Sequence, residues 1–154
     1  MKIKPKKSLG QNFLIDKNIL NLIVELGAIN EKDVLLEVGP GTGNLTEQLL
    51  LRKPEKLIVV EKDKNLASYL KDRFEKKITV INNNILDVNE EEFSNKKMII
   101  FGNLPYNIST QILVKWIRLK NLNRICKKFI LMFQKEVADR IIADTNGKNY
   151  GRIS

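Results

Sequence analysis

The sequence predicts a mostly parallel α/β sheet with helices on both faces. Five short runs, 34–38, 57–61, 78–81, 98–102 and 129–133, are apolar at nearly every position, with Glu37, Glu61 and Thr79 as the polar exceptions. Strands buried on both faces read that way, whereas half-exposed strands alternate. The segments between most of these runs carry apolar residues at helical spacing, the βαβ pattern of a parallel sheet. The first run also passes straight into a turn with three glycines, Gly39-Pro40-Gly41-Thr42-Gly43. In such sheets the crossovers are right-handed and ligands bind beyond the carboxyl ends of the strands.

Residues 1–12 are basic and contain Pro5 and Gly10, so they read as an arm or loop. Asp16 is placed to cap a helix through about Ala28, with Ile19, Leu20, Ile23, Val24 and, at its margin, Leu26 as its apolar stripe and Gly27 as its C-terminal breaker. The first strand, Val34 to Val38, and its glycine turn lead into a helix from Asn44 to about Arg52. The second strand, Leu57 to Glu61, precedes a charged helix over 64–76 whose Leu66, Ala67, Leu70 and Phe74 share a face. The third strand is Ile78 to Ile81, and a polar stretch over 82–96 leads to the fourth. A helix over 108–119 presents Ile108, Ile112, Leu113 and Trp116, the fifth strand runs from Phe129 to Phe133, and a last helix covers roughly 135–144.

Composition narrows the function classes. The 154 residues are 43% hydrophobic and 29% charged, as in an ordinary soluble domain. No apolar run approaches the roughly 20 residues of a membrane span, and no export leader opens the chain. The single cysteine, Cys126, excludes an internal disulfide and fits a reducing cytoplasm, where it is expected as a small buried hydrophobe. Histidine is absent, which removes Ser-His and Cys-His catalysis and imidazole-based zinc sites. No metal site is expected. Lys plus Arg outnumber Asp plus Glu by 27 to 18, a net +9 that favours a polyanionic partner, nucleic acid first. The excess clusters at Lys2, Lys4, Lys6 and Lys7 and again at Lys115, Arg118, Lys120, Arg124, Lys127 and Lys128.

The chemistry-bearing residues lie where the fold puts ligands. Gly39, Gly41 and Gly43 let backbone approach a ligand, and Glu37 sits two residues before the first of them. A nicotinamide oxidoreductase has no need of that acid, whereas an S-adenosylmethionine site uses one near the cofactor's charged amino end. Glu61 ends the second strand 18 residues after Gly43, where a carboxylate can accept from both ribose hydroxyls. After the third strand, Asn84 and Asp87 are both candidates to accept from an adenine amino group. Beyond the fourth strand stands "NLPYNIST" (103–110). Taken alone it reads as a turn, because Asn and Pro punctuate strand ends and Ser109-Thr110 can cap a helix.

Five segments in order, "KKSLGQNFLID" (6–16), "EVGPGTGNLTE" (37–47), "NLPYNIST", "QKEVADRI" (134–141) and "YGRIS" (150–154), resemble the ribosomal RNA adenine dimethyltransferases of KsgA type. The resemblance implies a Rossmann-like class I S-adenosylmethionine-dependent methyltransferase fold, truncated before its last strands, with the family's helical C-terminal domain beyond Ser154. It implies dimethylation of N6 on adjacent adenines of small-subunit (16S) ribosomal RNA, a step of ribosome biogenesis, by a cytoplasmic monomer. Asn12 and Leu14 are then expected to fold over the cofactor and Gly39 to approach it, with Glu61 on the ribose. Asn84 stands where the family usually has an acid, so it would read adenine without charge, with Asp87 as substitute. Asn103, which also borders the cofactor, Leu104, Pro105 and Tyr106 form the catalytic segment. The Asn103 oxygen and the Leu104 or Pro105 carbonyl accept the two N–H bonds of the target amino group, and Tyr106 stacks on the extruded base. Lys2, Lys4, Lys6, Lys7, Lys115, Arg118 and Lys120 are expected on the RNA. The alternatives are an Erm-type large-subunit methyltransferase and a non-catalytic RNA-binding assembly factor on the same fold.

Overall fold

A computed structural model describes residues 14–154. Its elements are α1 (Lys17–Gly27), β1 (Val34–Val38), α2 (Asn44–Leu50), β2 (Lys56–Val60), α3 (Lys64–Phe74), β3 (Thr79–Ile81), β4 (Met98–Asn103), α4 (Ser109–Ile117), α5 (Leu122–Ile125), β5 (Cys126–Met132) and α6 (Lys135–Ile141). The five strands form one parallel sheet in the order β3-β2-β1-β4-β5. The chain steps outward from β1 to β3, then crosses back to β4 on the other side of β1.

That crossing sorts the helices onto two faces. Leu35, Leu57, Val59, Ile99 and Phe101 face one cluster with Leu20, Ile23 and Val24 of α1, Leu45 and Leu49 of α2, and Leu70 and Phe74 of α3. The alternate strand residues, among them Leu36, Ile58 and Ile100, face a second cluster with Ile112 and Trp116 of α4. All five residues of β1 are buried, as expected for the central strand of a two-faced sheet.

Local signals explain most boundaries. Asp16 accepts from the amides of Asn18 and Ile19 to cap α1, and Asp63 does the same for α3 through Asn65 and Leu66. Several expectations are corrected. Gly27 is the last helical residue of α1, and Ala28 adopts the left-handed conformation (φ 47°) that ends it. Ile19 and Leu26 face solvent, leaving Leu20, Ile23, Val24 and Gly27 as the buried side. The helix after β4 is shorter than its apolar pattern, with Ile108 at its cap and Leu113 half-buried. The polar stretch after β3 contains two 3₁₀ turns, Ile85–Asp87 and Glu90–Glu92. β5 begins at Cys126, three residues before the expected start, and a register shift opposite Met98 and Ile99 absorbs the extra residue. Cys126 itself is half-buried, and burial pushes its thiol up to about 11.

Gly27 is present for packing. A Cβ there would lie 2.8 Å from Cζ of Phe101, a fully buried ring. Ala is ordinarily worth about 1 kcal/mol over Gly inside a helix, but overpacking a filled core costs about 1–3 kcal/mol. Gly27→Ala is therefore expected to destabilise the fold by about 1 kcal/mol, read as a lower denaturant midpoint at unchanged slope. A higher midpoint would show that the core beside Phe101 yields.

Candidate cofactor and base-binding site

Pairing of β1 with both neighbours brings three strand ends to one level: Val38 is opposite Val60 on one side and Gly102 on the other. The Gly39 amide extends the ladder by donating to the Val60 carbonyl (3.1 Å). Beyond that point the chain must turn sharply. Gly39, Gly41 and Gly43 all take positive φ, of 71°, 58° and 85°. Two of these positions are also closed to a side chain by their neighbours. A Cβ on Gly39 would lie 2.7 Å from the Asn103 carbonyl oxygen, and one on Gly43 would lie 2.5 Å from the Phe74 ring. Arg73 supports the turn from α3. Its Nη1 donates to the Thr42 carbonyl (2.6 Å), and its Nη2 donates to Glu47 (2.9 Å).

A cleft runs over this turn, bordered by Leu14, Glu37, Gly39, Gly41, Asn44 and Asn103. The structure thus brings together six positions from three separate segments. Asn44, at the start of α2, donates through Nδ2 to the Leu14 carbonyl (2.8 Å) and so holds that side of the cleft. Asn12 and the arm lysines Lys2, Lys4, Lys6 and Lys7 lie outside the described residues.

Two buried carboxylates flank the glycine turn, Glu37 in the cleft's lining and Glu61 beside it at the Gly41 amide. Glu37 is 1% exposed, and its Oε2 accepts from the Thr46 hydroxyl (2.7 Å). Burial, opposed by the Thr46 hydrogen bond and reinforced by the charge of Glu61, pushes Glu37 up to about 7. Glu61 is also buried. Its Oε1 accepts from the Asp63 amide (2.8 Å), and its Oε2 accepts more weakly from Gly41 (3.4 Å). Burial raises its pKa, and those backbone donors partly oppose the rise. Thr46 was missed from sequence; its signal is a lone hydroxyl on the leucine face of "NLTEQLL". Asn82 was missed as well. Its Nδ2 donates to the carbonyls of Glu61 (2.8 Å) and Lys62 (3.3 Å), fixing the turn that follows β2.

Asn84 lies past the end of β3 and is half-buried. Its Oδ1 accepts from the Leu86 amide (3.2 Å), capping the first 3₁₀ turn, while Asp87 within that turn is exposed. In the 103–106 segment Leu104 is 1% exposed, Tyr106 is 39% exposed, and the Pro105 carbonyl accepts from the Ile108 amide (3.1 Å). The turn expected from local chemistry is therefore present.

The basic run over 115–128 does not gather at this site. The Lys115 ammonium is turned inward onto the carbonyls of Ile85 and Val88 and the carboxylate of Glu90. Arg118 and Lys120 follow the end of α4, at the amino ends of the strands and opposite the cleft. Lys127 pairs with Asp33 at that same end, and Lys128 caps the Leu26 carbonyl of α1. Among the described residues no helix is long and apolar enough to cross a membrane.

Glu37 generates a pH signature. Between about pH 4.5 and 7 the folded protein keeps a proton that the unfolded chain has lost, so stability falls as pH rises across that window. The loss is on the order of 3 kcal/mol for a shift of this size. Glu37→Gln is expected to flatten this part of the stability–pH curve in chemical denaturation. An unchanged slope would mean that Glu37 is ionised at neutral pH without cost.

The family model described as ribosomal RNA adenine dimethylase matches residues 2–154. The chain is 56% identical over its full length to a ribosomal RNA small subunit methyltransferase A of Pelagibacter ubique, and it spans 58% of that protein. It is 43% identical to the protein of the same name from a Wolbachia of Brugia malayi, again spanning 58% of it. Among solved structures, a dimethyladenosine transferase from Plasmodium falciparum superposes with a TM-score of 0.80 at 31% identity, over 92% of this chain and 50% of that one. The 23S rRNA methyltransferase ErmE gives 0.71 at 25% identity, over 84% of this chain and 50% of that one. The fold is the Rossmann-like fold of class I methyltransferases, and the chain belongs to the ribosomal RNA adenine dimethylase family.

Proposed function

We propose that the protein transfers methyl groups from S-adenosylmethionine to the N6 amino groups of adjacent adenines in small-subunit ribosomal RNA. The 154 residues would form the cofactor-binding part of a longer methyltransferase, since they span 58% of the length of their curated relatives. One observation carries the reading: Asn103 meets the glycine turn so closely that only glycine fits at position 39. A group bound over the turn and a group held by Asn103 are then neighbours. The small-subunit names of these two relatives favour that RNA over large-subunit RNA.

The cleft suits such a cofactor. Glu37 is buried, with a raised pKa and a second carboxylate acting on it, so a cationic amino end placed beside it would relieve the repulsion and draw its proton off. Glu61 keeps lone pairs beyond those taken by Asp63 and Gly41, and these would accept from the ribose hydroxyls. The Asn84 oxygen likewise keeps a lone pair for an adenine amino group. Leu14 and Asn12 would cover the bound molecule. The cofactor supplies an electrophilic methyl group on a sulfonium centre.

The protein's part is to make a poor nucleophile adequate. An adenine amino nitrogen delocalises its lone pair into the ring. Two acceptors that take its two N–H bonds favour tetrahedral geometry and expose the lone pair. The Asn103 side-chain oxygen is one. The Leu104 carbonyl is the better second, because the Pro105 carbonyl is already engaged with the Ile108 amide. Pro105 stiffens the turn, and Tyr106 would stack on the extruded base. This arrangement needs no strong general base, in keeping with a sequence that has no histidine. The arm lysines Lys2, Lys4, Lys6 and Lys7 are proposed RNA contacts. The cytoplasm and a monomeric state complete the reading.

The test uses the full-length protein. Tritium from labelled S-adenosylmethionine is expected on isolated small subunits that lack the modification, and not on large subunits. Asn103→Ala should abolish that transfer while cofactor affinity stays within about tenfold, because its contacts strengthen as the transition state forms. A folded Asn103→Ala enzyme that transfers at near wild-type rate would refute the mechanism. Labelling of large subunits alone would instead favour the Erm-type activity.

A further inference from the structure

Lys115 holds an unusual place for a surface-type cation. Its Nζ lies 2.7 Å from the Ile85 carbonyl, 2.6 Å from the Val88 carbonyl, and 2.8 and 3.0 Å from the two oxygens of Glu90. Those contacts engage all three ammonium hydrogens. Glu90 is 1% exposed and also accepts from the Trp116 indole N–H (2.6 Å). Trp116 in turn is fully buried and stacks on Phe129 of β5, with ring centroids 5.1 Å apart. The chain of contacts runs from the sheet, through α4, to two carbonyls of the segment between β3 and β4.

That segment needs an anchor. β3 is only three residues long, and the next strand begins at Met98. Between them the chain has 3₁₀ turns alone, and the first of these is the turn capped by Asn84. Its geometry rests on the Asn84 side chain, the Asp87 amide donating to the Asn84 carbonyl (2.9 Å), and the insertion of Ile85 into the core. Lys115 adds the tie from outside the turn, gripping it at Ile85 and again just after it at Val88. Stability alone does not call for an ion pair here. Apolar residues of similar volume commonly replace a buried pair without loss. What apolar residues cannot do is grip two backbone carbonyls at a fixed distance from α4.

We propose that Lys115 is a positioning residue for the adenine end of the cofactor site, acting through the backbone of residues 84–88. The inference rests on the methyltransferase reading above. It also links the two halves of the reaction, since α4, which carries Lys115, follows directly on the 103–106 segment. A shift of the 84–88 turn would misplace the acceptor for the adenine amino group and leave the ribose and amino-acid ends of the site untouched. Loss of Lys115 should therefore reduce base discrimination specifically.

The probes are S-adenosylhomocysteine and S-inosylhomocysteine, which differ at the base by an amino group replaced with oxygen. Calorimetry on the full-length protein measures both, beside thermal melting. The wild-type protein is expected to prefer the adenosyl compound by about tenfold or more, the scale of one specific polar contact. Because Lys115→Met strands a buried carboxylate, the informative variant is the double Lys115→Met/Glu90→Gln, which removes both charges and keeps an acceptor for Trp116. It should melt near the wild-type temperature, bind the inosyl compound as before, and lose most of the adenosyl preference. Asn84→Ala added to it should cause little further loss, because both changes act on one contact. A folded double variant with the wild-type preference intact overturns the proposal, as does an equal loss for both compounds. A wild-type protein that binds neither compound overturns the methyltransferase reading, and the proposal falls with it.

Discussion

Two pieces of backbone meet closely at the centre of the site: the turn after β1 and the end of β4. Parallel pairing in the middle of the sheet sets Val38 beside Gly102, so the chain leaving β1 passes directly over the residue that ends β4. No side chain fits between them, because a Cβ on Gly39 would intrude on the Asn103 carbonyl. The remaining features act around that contact. Gly43 lets Phe74 close in from α3, Arg73 holds the Thr42 carbonyl, and Asn44 secures Leu14 along the rim. Two strands that never follow one another in the chain thereby share one small cleft.

The electrostatics of that cleft are costly in isolation. A carboxylate buried like Glu37, with a second acid near it, is destabilised relative to water, and one threonine hydroxyl offsets only part of that. The proposed cofactor, with a cationic end and vicinal hydroxyls, would answer both acids in turn. The asymmetry between the acids matters as well. Glu61 is held by backbone amides on both oxygens, while Glu37 has one side-chain donor. The first is pre-oriented to accept further hydrogen bonds, and the second can take or release a proton.

Much of the fold was legible in the sequence because its signals are local. Doubly buried strands are apolar at nearly every position, and a glycine turn directly after one of them lies at the edge where such sheets bind ligands. The same signals located Glu37, Gly39, Glu61 and Asn103 at one end of the sheet. The features that were not legible depend on tertiary partners. Nothing near Lys115 in sequence announces Glu90 or the carbonyls of Ile85 and Val88, so the lysine read as an exposed charge for RNA. The early start of β5 was hidden because Lys127 and Lys128 look like loop; on an edge strand, lysines are tolerated. The exchange of roles between Gly27 and Ala28 has the same origin. Glycine was needed against Phe101, and the helix ended on alanine instead.

The close passage of Gly39 over Asn103 is proposed to join cofactor binding to base capture. The most direct measurement is Gly39→Ala in the full-length protein, with S-adenosylhomocysteine affinity, methyl transfer and melting temperature read on one preparation. The added Cβ, at a positive φ and against a backbone oxygen, has to displace one of the two segments. A folded variant is expected whose cofactor affinity falls by about tenfold or more and whose methyl transfer is lost beyond that fall. A folded Gly39→Ala enzyme that binds and transfers like the wild type would contradict it.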